Sequence, residues 1–147
     1  MTKFLLVVHV LAAIVAVGPV TVAASMFPPV ARRALAEPED EGAAGALSLL
    51  HRVCRVYALV GVAVPVFGFA TASEMGVLGS AWLIASIVLT ALAAVVLAAL
   101  VLPAQSALVE GRGTDTVRLA MLTGVFNLLW AAVTVLMIVR PGSTTGA

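Results

Sequence analysis

Three side chains set inside uncharged apolar runs are where this sequence could do chemistry. His9 stands in Phe4–Phe27, FLLVVHVLAAIVAVGPVTVAASMF, a run of 24 residues with no formal charge. A neutral imidazole in that setting can ligate haem iron or relay a proton, and an ionisable group inside a membrane is a functional candidate by default. The plainer reading is a neutral histidine that hydrogen-bonds a neighbouring helix. His51, the only other histidine, enters a later apolar run beside Arg52 and Arg55. By rise per residue, His9 lies about 9 Å outward of its span's midpoint and His51 about 15 Å inward of its own, on the order of 25 Å apart. Two axial histidines on one iron are therefore not expected within a subunit, and His51 reads as a surface residue. Asn127 sits mid-way along the last run, with Thr123 one turn away as one partner for its amide. It reads as a polar link between helices rather than a substrate contact. The single cysteine, Cys54, reads as a packing residue, and one cysteine forms neither an intrachain disulfide nor a Cys-based metal cluster. The runs hold no nucleotide loop, zinc spacing, nucleophile–base arrangement or paired carboxylates, so no catalytic or metal residue is assigned.

The elements that must position these residues follow from composition. The chain is 63% hydrophobic and 10% charged, with mean hydropathy +1.19. A soluble domain is nearer 45–50% apolar and about 25% charged, so the expected solvent is a bilayer. Net charge is +1, which gives no reason to expect a nucleic-acid partner. Four spans are predicted, about 4–27, 49–72, 80–102 and 117–139, in a single domain. Lys3 and the VAAS at 22–25 resemble a signal peptide, but the apolar run is too long for one, and a retained span is expected. Pro28-Pro29 should stop the first helix, because proline lacks the N–H. An acidic turn around Glu37–Gly42 would then make 28–48 the longest connection, with 103–116 the other loop on that side. Pro65 should kink the second span. The final SerThrThrGlyAla, residues 143–147, reads as a frayed tail. Arg32, Arg33, Arg52, Arg55, Arg112 and Arg118 flank these two loops, against Lys3 and Arg140 on the other side. Positive residues stay cytoplasmic, so both termini are expected outside. The seven arginines against one lysine, with abundant Ala and Val, point to a GC-rich bacterium and hence its inner membrane.

Lipid tails are as apolar as leucine, so small residues and a few polar groups must hold the spans together. The second span carries Cys54, Ala58, Gly61, Pro65, Gly68 and Ala72, a small-residue seam with a 3.5-residue repeat. Ala13, Ala16, Val20 and Ala23 continue in line with His9, and Ser86, Thr90 and Ala94 do the same for the third span. Ala120, Thr123, Asn127, Ala131 and Thr134 share a face of the fourth, with Phe126, Leu129, Trp130 and Val133 elsewhere. These four stripes are expected to face inward, with Gly18, Gly61, Gly68 and Pro65 among the packing residues. The expected fold is all-α, an up-down bundle of four transmembrane helices.

The run from His9 to Gly18, with the Arg-rich segment after it and Leu50-His51-Arg52, resembles small bacterial four-span integral membrane proteins of unknown function. It is more distantly similar to the haem-b-linked protoporphyrinogen oxidase and copper-resistance-D-like four-helix proteins. The latter resemblance implies haem b as a cofactor with His9 as its ligand. The chain lacks the oxidase pattern's lysine inside a later span. The functional expectation is a non-catalytic accessory or oligomer-forming component, partnered by lipid and by itself or another membrane protein. The alternatives are a b-type haem redox protein and, lower, a small carrier or channel.

Overall fold

The structure is a computed structural model and describes residues 1–142; the 143–147 tail lies outside them. The described residues are helical throughout, with no strand. They form α1 (Thr2–Ala36), α2 (Glu41–Val60), α3 (Ala63–Met75), α4 (Ala81–Val95), a π-helical segment (Val96–Val101), α5 (Leu102–Val109) and α6 (Thr116–Val139). Because α2–α3 and α4–α5 each run on as one rod, four rods are long and apolar enough to cross a membrane. They make a four-helix bundle in which α1 packs on α2, α3 and α6, while α4 and the π segment pack on α6 and α2 packs on α5.

Prolines shape three of the rods. Pro65 has no N–H for the Gly61 carbonyl. That carbonyl instead accepts from Val64 at 3.1 Å, and the regular helix is interrupted at Gly61-Val62, one turn before Pro65, although the rod continues through it. Pro103 likewise cannot donate one turn back, and the wider π turns of Val96–Val101 sit immediately before it. Pro28-Pro29, by contrast, does not stop α1. The helix runs on to Ala36 because Phe27 and Ala31, both fully buried, anchor that segment in the core. Packing here outweighs the lost backbone bonds. The acidic connection therefore shrinks to Glu37–Asp40, and Glu110–Asp115 becomes the longest. Gly76 and Gly111 take positive φ of 69° and 72° and end α3 and α5. In each, the next residue's N–H reaches back five positions, Val77 to Ala72 and Arg112 to Ala107.

The core joins Val20, Phe27 and Ala31 to Leu47, Ala93, Leu97, Val101, Leu108, Leu119 and Phe126. Large apolar side chains such as Ile14, Leu59, Val88, Leu128 and Ile138 point outward. In water such a belt would drive aggregation; facing acyl chains it needs no partner.

The inward stripe of α1 is as expected, with Ala16, Val20 and Ala23 buried, and the α2–α3 seam is buried or half-buried throughout. The later spans differ. On α6 the packed face is Thr116, Leu119, Thr123 and Phe126, whereas Ala120, Ala131 and Thr134 are exposed. On α4 the buried line passes from Ser86 to Ala93 and Leu97, leaving Ala94 outside. On α6 the large Leu119 and Phe126 therefore take the interior positions, while on α4 and the segment after it the small Ser86 and Ala93 are buried together with Leu97. Gly18 is also exposed, and a Cβ there would meet nothing within 4 Å, so it is no packing glycine.

Candidate functional site

Three polar sites interrupt the apolar interior. The first is His9, which the helical repeat of α1 turns toward α3. Its Nδ1 lies 2.9 Å from the Val64 carbonyl. A carbonyl only accepts, so Nδ1 is the donor, and the tautomer with a single proton there has its lone pair on Nε2. The ring abuts Gly68: a Cβ at that position would be 2.9 Å from His9 Cε1. A side chain at Gly68 would thus displace the His9 ring, a matter of contact rather than of backbone conformation. The Nε2 lone pair is what an axial haem ligand would use. Gly68 closes one side of the ring, and neither cleft described below is lined by His9. No second imidazole approaches, since His51 is bound to α5.

The second site lies between α2 and α5. Gln105 is fully buried. Its Oε1 accepts from His51 Nδ1 at 3.1 Å, and its Nε2 faces the buried Cys54 sulfur at 3.6 Å. His51 is therefore half-buried and tied down, not a free surface residue. Beside it opens a cleft of about 350 Å³ lined by His51, Arg55, Ala98, Leu102, Pro103 and Ser106. Gln105 did not stand out from the sequence. Its one signal is an uncharged amide two residues beyond Pro103, where the helix was free to continue.

The third site is a cleft of about 380 Å³ between α1 and α6, lined by Ser25, Pro28, Pro29, Arg32, Ala120, Thr123, Gly124 and Asn127. Asn127 Nδ2 donates to Ser25 Oγ at 3.2 Å, so its partner is on α1 rather than Thr123 on its own helix. Asn127 Oδ1 and Thr123 Oγ1 are buried without partners, as are Thr21 Oγ1 and Trp130 Nε1. Thr21 and Trp130 lie one turn further along the same antiparallel pair. Other intramembrane hydroxyls bond back to their own helix: Thr71 to Phe67, Ser86 to Trp82, Thr90 to Ser86 and Thr134 to Trp130. The unpartnered atoms therefore concentrate at the α1–α6 seam.

Outside the spans, two ion pairs order the connections. Asp40 caps α2 by accepting from Ala43 N–H at 3.1 Å and pairs with Arg33 at 3.0 Å. Both the Ala43 bond and the Arg33 charge hold its carboxyl below the usual carboxylate range. Glu110 is held low in the same way, by Arg112. At the opposite end, the Arg140 guanidinium lies 5.9 Å from the Trp82 ring centre. Among the described residues no group of three or more His, Cys, Asp or Glu side chains is placed to hold a metal ion.

No protein-family model, curated protein or solved structure matches the chain.

Proposed function

We propose that this chain is a multi-pass protein of the bacterial cytoplasmic membrane, with both termini outside, that has no catalytic site of its own and serves as an oligomer-forming helical component. One observation carries this reading: a stripe of small residues on α6, exposed at Ala120, Ala131 and Thr134 and half-buried at Gly124 and Asn127, beside the cleft between α1 and α6. Asn127 keeps part of its side chain at that surface, and an amide in hydrocarbon gains from a polar partner across a second helix. The surface beside it suits close approach. Ala120, Gly124, Asn127, Ala131 and Thr134 follow one another at 4, 3, 4 and 3 residues, and a Cβ at Gly124 would meet nothing within 4 Å. That is the repeat of a left-handed helix pair, turned outward. A two-fold axis along the membrane normal would bring two copies of Asn127 face to face.

The test is the self-association constant in nanodiscs or dilute micelles, followed by single-molecule photobleaching. Asn127→Leu and Gly124→Leu should each weaken association, Asn127→Leu by about fivefold or more, the scale of 1–2 kcal/mol for interhelical amide bonds in model peptides. A strictly monomeric wild type overturns the proposal, as does unchanged association in both variants.

A further inference from the structure

We infer that the cleft between α2 and the π segment–α5 rod binds the phosphate of an anionic phospholipid. The argument begins with charge. Arg55 lines the cleft with His51 and Ser106. The two ion pairs among the described residues are Arg33–Asp40 and Arg112–Glu110, and neither uses Arg55. The carboxylate that touches the cleft's lining is Glu110, to which Ser106 Oγ donates weakly at 3.4 Å and which Arg112 neutralises. An uncompensated guanidinium beside a hydroxyl, where arginines gather at one end of the bundle, suits a phosphate oxygen pair.

The walls are built rather than fortuitous. Gln105 clamps His51 from the buried side, and Pro103 with the π turns opens the helix opposite. π segments recur at functional sites for this reason. The choice of a lipid over a free anion comes from the order of residues along the antiparallel rods. The His51–Gln105 bond sets the register. Ser106 and His51 therefore lie at the outer end, Arg55, Pro103 and Leu102 next, and Ala98 deepest. Polar groups at headgroup level thus lead into an apolar wall suited to an acyl chain.

The experiment compares wild type reconstituted with phosphatidylglycerol, phosphatidylcholine or phosphatidylcholine plus inorganic phosphate. Retained lipid is read by native mass spectrometry and stability by thermal shift. Phosphatidylglycerol should be retained about fivefold over phosphatidylcholine per engaged cation. Arg55→Gln and His51→Gln should remove that preference, while Arg52→Gln, exposed and outside the cleft, should keep it. Equal retention of the two lipids overturns the inference. So does equal protection by inorganic phosphate, or an Arg52→Gln loss as large as that of Arg55→Gln.

Discussion

Replacing Gly68 by alanine tests the contact that joins the first rod to the second. The new Cβ would sit 2.9 Å from His9 Cε1 and 3.2 Å from Nδ1, closer than such atoms approach. The α3 backbone is fixed by its helix, so the imidazole must turn away and surrender its 2.9 Å bond to the Val64 carbonyl. Polar bonds between membrane helices contribute about 0.6 kcal/mol on average and up to about 1.7. Alanine also returns roughly 0.5–1 kcal/mol by stiffening a helical glycine. The two effects nearly cancel, so a single variant is uninformative and a comparison is required. Gly18→Ala supplies it, because that position is open and receives the gain alone. Gly68→Ala should therefore be less stable than Gly18→Ala by about 1 kcal/mol in reversible unfolding from mixed micelles. In a His9→Ala background the difference should vanish, since the ring is gone. Equal stability of the two glycine variants in the wild-type background, or a difference that survives removal of His9, would show that the ring does not rest on Gly68.

Two further outcomes are expected. Asp40 ionises below its ordinary value of 3.8, first through the Ala43 N–H and also through Arg33, so its stabilisation is present above that value. It is lost as pH falls through the lower, folded-state value. Amide exchange in the first turn of α2 should therefore accelerate below about pH 3.8, and Asp40→Asn should flatten that response; an identical pH profile in the variant would refute the cap as its origin. Protein purified from haem-replete cells should show no Soret band, because the His9 ring is taken up by the Val64 carbonyl and by Gly68. A stoichiometric band abolished by His9→Ala would refute this and restore the axial-ligand role.

Much of the architecture was legible because a bilayer constrains it with few variables. An uncharged run of about 20 residues must cross, and its backbone must be helical. Composition therefore sufficed for the four helices able to span, whereas Pro28-Pro29 misled as to where the first one ends. The α2–α3 seam was also readable, since its small side chains are flanked by large ones on every other face. The rotation of α6 was not. It carries Phe126 on one face and Ala120 and Ala131 on another, both apolar, and hydropathy does not distinguish a face toward lipid from a face toward protein. Only the spacing of the rods decides whether a small or a large side chain fills the gap, and that spacing belongs to all four together.

The same distinction separates the sites. That His9 and Asn127 needed partners follows from their chemistry in a medium without water. Which partners they have, the Val64 carbonyl and the Ser25 hydroxyl, depends on rods distant in sequence. Gln105 gave no warning, because a glutamine just beyond a proline reads equally as headgroup-facing or buried. Its burial exists only once α2 brings Cys54 and His51 against it. Local chemistry therefore determined which side chains could not be left alone, and the register between antiparallel rods decided which of them met.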